Sequence, residues 1–402
     1  MLGFDVAYFA KNSFWVSFKN GMGMLAGFFL SIAWARLASK QMYGQYTFVL
    51  SIMYLLTFLS VPRFNFALSQ AVARGKEGAL KQTTKVSLWG SLIASLIFLA
   101  VAGKYFYLGD PGLGYSFVWV AIFFPLLFGL KTYDHFLIGK KRFDRSAQLS
   151  ALSSVMTGIV LIAALFKQAN VASLILLYFL VNGGLNVFYW WHAQSLAKNK
   201  RRDAEVVKYG LYLTGLSLAA MWVSRLGHVL LNQFQGAEAL ATYTIAMVIP
   251  STVQNQLQNL IDVAKIKVAD RNRSQLMLVL RKHGLKWLGV GVVTAAGLWL
   301  TLPIVIPLIY SNKYNDAVIY AQVASLALIL WPINTLIGEL VLLEKKTKII
   351  ALSHFIPSVP NMILLPLMIS RWGIWGALAV NLAASIYMIP FNLWAFRREK
   401  DL

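Results

Sequence analysis

Residues 86–103 read VSLWGSLIASLIFLAVAG, eighteen residues without a formal charge, bounded by Lys81 and Lys85 before and Lys104 after. A helix rising 1.5 Å per residue needs about 20 apolar residues to cross the roughly 30 Å hydrocarbon core of a bilayer, and this run matches that demand. Working outward, runs of the same kind recur between Gly, Pro and Lys/Arg punctuation. Twelve are found, centred near Leu25, Leu56, Ser95, Phe124, Ile159, Leu180, Ala220, Ile249, Val292, Leu328, Leu364 and Leu382. The first continues past twenty residues from Asn12 without a small-residue cleavage pattern, so it is expected to be a retained span.

Composition supports the same class. Across 402 residues, 58% are hydrophobic and 13% charged, and the mean hydropathy of +0.62 excludes both a set of water-soluble domains and a disordered chain. In a soluble protein the net charge of +22 would point to nucleic acid. Here the 37 Lys and Arg cluster in short segments between apolar runs, which is the behaviour of membrane-flanking loops, so no nucleic-acid partner is expected. There is no cysteine, and five scattered histidines lack metal-ligand spacing. No metal site, thiol chemistry or cofactor is expected.

Alternate connections differ in charge. One set carries Arg74 to Lys85, Lys140 to Arg145, Lys198 to Lys208, Lys265 to Lys282, Lys345 to Lys348 and Arg397 to Lys400; the other carries little beyond Lys40, Lys104, Lys167, Lys313 and Arg371. The positive-inside rule then puts both termini in the cytoplasm. Outer connections are short, the longest expected at residues 103–114, so any function must reside among the helices.

The charged segment 198–208, KNKRRDAEVVK, divides the spans evenly. The expected organisation is an N-terminal six-helix lobe at 1–197, a basic cytoplasmic linker at 198–208 and a C-terminal six-helix lobe at 209–402. At an offset of 197, ASKQMYGQYT (38–47) lies beside QGAEALATYT (235–244), matching Tyr46 with Tyr243, Thr47 with Thr244 and, further on, Arg74 with Arg271. Parallel six-helix repeats are one known way to build a transporter.

The stretch ARLASKQMYGQYTFVLSIMYLLTFLS, followed by ALSQAVARGK, resembles the N-terminal signature of polysaccharide and O-antigen flippases of the Wzx type. These belong to the multidrug, oligosaccharidyl-lipid and polysaccharide (MOP) exporter superfamily. The resemblance rests on Ala35, Arg36, Leu37, Tyr43, Gly44, Tyr46 and residues 72–75, within about the first 80 residues. It implies an all-α polytopic membrane protein with two six-helix lobes around a central cavity, as in the MATE transporters. It also implies alternating access, no enzymatic activity, and an undecaprenyl-diphosphate-linked oligosaccharide as cargo in the bacterial inner membrane. Polysaccharide polymerase and glycosyltransferases would be its neighbours.

Such a cargo presents a diphosphate at the membrane interface, and charges inside the spans are the residues to test against it. Lys19, Arg63 and Lys131 are expected at similar depth in the first lobe, with Arg225 deeper in the second. Together they form a candidate cationic substrate site; lysines at that depth also have stems long enough to snorkel to headgroups. Pro62 precedes Arg63 and leaves a carbonyl free, which is consistent with a cavity or with a packing kink. Asp134 is the candidate for Na⁺ or H⁺ coupling, although Lys131 three residues earlier allows a local ion pair. Asp262 and Glu339 lie near basic clusters and are expected in interfacial salt bridges. Gln254, Asn255, Gln256, Gln258 and Asn259 must face water or protein and are expected to line a hydrophilic cavity. Asn182, Asn186 and Asn334 join them or hold helices together. Tryptophans, Trp34 among them, are expected in an interfacial belt. Two other functions stay open: a multidrug cation antiporter of the same superfamily, which would place acids in the cavity, and a membrane O-antigen polymerase or ligase, which would carry a large periplasmic loop.

Overall fold

The computed structural model describes the backbone of residues 6–266, 273–343 and 347–397, and every regular element there is helical. In chain order these are α1 (Val6–Leu37), α2 (Lys40–Leu55), α3 (Phe64–Ala73), α4 (Ala79–Tyr107), α5 (Pro111–Phe124), α6 (Thr132–Gly139), α7 (Phe143–Phe166), α8 (Val171–Ser195), α9 (Val206–Ile266), α10 (Arg273–Tyr310), α11 (Ala317–Leu343) and α12 (Thr347–Arg397). The chain divides into two units, residues 1–218 and 219–402. Among the described residues, ten helical stretches are long and apolar enough to span a membrane. Two of them fold back: α9 turns at Gly236 (φ 84°, ψ 174°) and α12 at Gly373 (φ 53°, ψ −125°), bringing the spans to twelve.

Positive φ is steric territory for glycine, which is why these reversals need no loop. The first unit makes the corresponding turn at Ser39, whose extended backbone and hydroxyl cap α2 by accepting from Met42 N at 3.1 Å. Ser39 and Gly236 are 197 residues apart, so the internal echo falls on the same topological turn in both units. Tyr46 and Tyr243 then bury against the preceding helix, Tyr46 on Trp34 and Tyr243 on His228. Trp34 is only 1% exposed and stacks on Tyr43 and Tyr46, so it is core and does not belong to an interfacial belt. The outer connection expected at 103–114 is also corrected: α4 continues to Tyr107, leaving a tight turn capped by Asp110, which accepts from Leu113 N.

The second and fourth spans are not continuous helices. After α2 comes a 3₁₀ turn, Leu56–Ser60, then Val61 with φ 53° and Pro62, before α3 starts. After α5 comes a π turn, Pro125–Gly129, before α6. Both breaks occur at a proline, which has no N–H to continue the ladder. The carbonyls released at membrane depth need donors, because an unsatisfied backbone group in hydrocarbon costs several kcal/mol. Helix α4 supplies one: Ser87 Oγ donates to Ser60 O at 2.6 Å and reaches Phe128 O at 3.4 Å. Asn186 Nδ2 donates to Leu127 O at 2.9 Å. Gly90, one turn beyond Ser87, lies so close that a Cβ would strike the Leu59 carbonyl oxygen.

At the end where Lys and Arg cluster, segment 198–203 is bound to the α3–α4 connection. Glu77 accepts from Lys140 Nζ at 2.6 Å and from Lys198 N, while Asn199 Nδ2 donates to Gly75 O at 3.1 Å. Asp203, its side chain 4% exposed, pairs with Lys76 at 3.2 Å and Arg74 at 3.6 Å. Burial alone would raise the Glu77 carboxyl, but the Lys140 ammonium and the Lys198 N–H outweigh it and hold its pKa below the ordinary value. Asp203 is likewise held down against burial, by the Glu205 N–H and the Lys76 and Arg74 charges.

Two measurements follow from this packing. Gly90→Ala should lower thermal stability in detergent by about 2 kcal/mol through overpacking, whereas Gly103→Ala on the same helix, where nothing lies within 4 Å, should be neutral or slightly stabilising. Because the Glu77 and Asp203 pKa values are depressed, their contribution is complete above the unfolded carboxylate range and is lost as pH falls through the folded values. Melting curves should therefore drop on acidification below about pH 4.5, and Glu77→Gln should flatten that drop while lowering stability at neutral pH.

Candidate functional site

The break in the fourth span positions the first charged group. Residues 130–131 end the irregular segment, so Asp134 falls in the first turn of α6, where a carboxylate is favoured by the helix dipole. Its Oδ2 pairs with Lys19 Nζ of α1 at 2.8 Å, and Ser146 Oγ at the start of α7 donates to its Oδ1. The Asp134 side chain is 8% exposed and that of Lys19 30% exposed. The local pairing of Lys131 with Asp134 suggested by their spacing is thus corrected: Lys131 is the exposed N-cap residue of α6, and the carboxylate belongs to Lys19. The reason is tertiary, since α1 lies along α7 and brings Lys19 to the buried face that Asp134 occupies.

Arg63 has the same local setting as Lys131. It is the N-cap residue of α3, following the break in the second span, as Lys131 follows the break in the fourth. Its Nε donates to Ser217 Oγ at 2.8 Å, Ser217 in turn donates to Leu213 O at 2.8 Å, and the guanidinium carbon lies 5.9 Å from the Phe66 ring centroid. Those contacts orient the side chain and leave its terminal nitrogens without a hydrogen bond among the described residues. Helices α3 and α6 pack together and the two irregular turns meet. The first unit therefore presents two cations at two adjoining helix N-termini, an arrangement that attracts phosphate.

The second unit holds Arg225, half-buried on α9 between Val206 and the Gly236 turn. Further along α9, beyond Pro250, the amide streak is accessible: Asn255, Gln256 and Asn259 are exposed, Gln254 and Gln258 half-buried, and Asn259 Nδ2 donates to Gln256 Oε1 at 3.4 Å. The isolated asparagines serve packing. Asn182 donates to Thr157 Oγ1 at 2.9 Å, Asn186 to the freed Leu127 carbonyl, and Asn334 to Ser385 O at 2.6 Å. The side chains of Asp262 and Glu339 lie outside the described residues. Ser146 and Ser217 escaped the sequence reading because neither sits in a motif; their roles come from partners 12 and 154 residues away.

Comparison with known proteins defines the class. The family described as polysaccharide biosynthesis protein matches residues 9–266, and the chain belongs to it. No curated protein matches the sequence. Among solved structures, the chain is similar to one described as lipid II flippase MurJ in an inward closed conformation (TM-score 0.73, 14% identity, 94% of this chain and 86% of that one). It is also similar to an inward-facing multidrug resistance MATE family transporter of the MOP superfamily (TM-score 0.70, 14% identity, 94% and 95% covered). A third, a MOP superfamily transporter from Pyrococcus furiosus described as having reversed pocket polarity, aligns with TM-score 0.67 at 14% identity over 98% and 96%. The protein thus has the MOP transporter fold.

The Lys19–Asp134 pair is directly testable. Lys19→Gln strands the buried Asp134 carboxylate and should cost about 2 kcal/mol in unfolding experiments, Asp134→Asn somewhat less because the Lys19 side chain it leaves unpaired reaches solvent. The double variant should be less destabilised than the sum of the two by about 1 kcal/mol; strict additivity would mean that the pair does not couple.

Proposed function

We propose that this protein is a flippase that carries undecaprenyl-diphosphate-linked oligosaccharide repeat units, for O-antigen, capsule or exopolysaccharide, from the cytoplasmic to the periplasmic leaflet by alternating access. It resides in the bacterial inner membrane with both termini in the cytoplasm. The observation that carries the reading is the pair of span breaks, each ending in a cation, Arg63 and Lys131, at a helix N-terminus. A diphosphate is the anion such a pair suits, with Arg63 gripping two oxygens and Lys131 acting as a point charge. Arg225 receives the same group later in the cycle. Gln254, Asn255, Gln258 and Asn259 hydrogen-bond the glycan hydroxyls.

Lys19 and Asp134 act together. While they are paired, Lys19 is unavailable to phosphate; a coupling H⁺ or Na⁺ taken by Asp134 weakens the pair and releases the ammonium toward the anion. Family membership and the likeness to MurJ, a lipid II flippase, support a lipid-linked cargo. A multidrug antiporter for cations is disfavoured, because the intramembrane carboxylate Asp134 is already engaged by Lys19, and Arg63 and Lys131 at the span breaks are cations. Polymerase and glycosyltransferases of the same glycan are the expected functional neighbours.

Deleting the gene in its host and separating undecaprenyl-linked glycan by leaflet tests this reading. Complete repeat units should accumulate on the cytoplasmic side while surface polysaccharide is lost. Complementation with Arg63→Ala or Arg225→Ala at normal protein abundance should restore less than about a tenth of the surface glycan, the loss expected when one charge-assisted contact to phosphate is removed. Full restoration by both variants would remove the cationic site, and accumulation of single units on the periplasmic side would point to a polymerase or ligase.

A further inference from the structure

The first unit has a second cationic feature, away from the span breaks. An open groove of about 500 Å³ runs between α4 and α8 at the basic end of these helices. Lys81 and Lys85 stand at its mouth, four residues apart on one face of α4, and Leu88 and Leu92 continue that face downward as an apolar floor. Trp190 of α8 forms the opposite wall. Its Nε1 donates to Thr84 Oγ1 at 3.0 Å, and Thr84 exchanges a 2.7 Å hydrogen bond with Thr132, so the wall is tied into the core of the unit.

Several charges at the same end are taken up by ion pairs. Lys140 is neutralised by Glu77, Arg74 and Lys76 by Asp203, and Arg142 by Asp144. Lys81 and Lys85 have no carboxylate partner among the described residues. Like charges at i and i+4 repel and weaken a helix, an arrangement relieved when an anion sits between them. Below them the surface turns to lipid: Trp89 is 63% exposed and Leu92 46% exposed, on a helix that spans the bilayer.

We propose that this groove binds one anionic glycerophospholipid. Its phosphate lies between the Lys81 and Lys85 ammoniums, its glycerol region lies beside the Trp190 indole at the interfacial level, and its acyl chains run down over Leu88 and Leu92. A zwitterionic lipid fits the floor but brings its own cation to the mouth and is bound less well. The site lies within residues 81–194, is built wholly from the first unit, and does not depend on what the protein transports.

The test is native mass spectrometry of the delipidated full-length protein in detergent, titrated with phosphatidylglycerol or with phosphatidylcholine of the same chains. Wild type should retain phosphatidylglycerol at about tenfold lower concentration than phosphatidylcholine. Lys81→Gln/Lys85→Gln should abolish that preference with phosphatidylcholine binding unchanged, while Lys200→Gln/Lys208→Gln, the same charge change at the same end, should preserve it. Three outcomes overturn the site: equal retention of both lipids by wild type, an equal loss in the two double variants, or displacement of the lipid by equimolar inorganic phosphate. The first would leave a merely apolar groove, the second diffuse surface charge, and the third a small-anion site.

Discussion

The hydroxyl of Ser87 donates to the carbonyl freed at one broken helix, Ser60 O, and lies against a second, Phe128 O. A helix in a bilayer satisfies its own backbone, and any interruption must find donors from neighbouring protein. The second and fourth spans are both interrupted, and both interruptions face α4, where Ser87 reaches Ser60 O and Phe128 O and Gly90 lets the Leu59 carbonyl approach. Asn186 meets the Leu127 carbonyl from α8. Remove these contacts and the breaks become costly. With them, each interrupted span ends one helix and begins another in mid-protein, and the new N-termini carry Arg63 and Lys131. The cationic character of the first unit is thus a consequence of backbone satisfaction as much as of side-chain charge.

Charge pairing divides the basic residues by environment. At the basic end, Glu77 and Asp203 gather Lys140, Lys76 and Arg74 and bind residues 198–203 to the α3–α4 connection. Deeper, the Lys19–Asp134 pair joins α1 to α6, with Ser146 completing the carboxylate's shell from α7. A pair this sheltered contributes little net stability compared with an apolar substitute, yet it costs much to break from one side.

The two units solve the first helical reversal by different chemistry at the same place. Ser39 does so with an extended backbone and a side-chain cap, Gly236 with positive φ and no side chain. Beyond each turn a tyrosine, Tyr46 or Tyr243, packs back on the preceding helix, against Trp34 in one case and His228 in the other. The shared element is the buried tyrosine. Such pairs explain how a repeat persists in structure when only a few identities remain in sequence.

The amino-acid sequence by itself determined the membrane class, the twelve spans, their punctuation and the echo between halves, because hydropathy and charge are summed along the chain and need no partner to be read. It also marked Arg63, through Pro62, and Asp134, as a carboxylate within a span. Only the tertiary structure decided what those residues touch. The spacing of Lys131 and Asp134 suggested a local pair, but the partner is Lys19, 115 residues away; Arg63 is oriented by Ser217, 154 residues away. Asn182 and Asn186, legible as polar intramembrane groups, turned out to bond a neighbouring hydroxyl and a freed carbonyl. Helix packing selects among partners that one-dimensional spacing leaves equivalent, since each buried polar atom must find the donor or acceptor that the neighbouring helix brings to it.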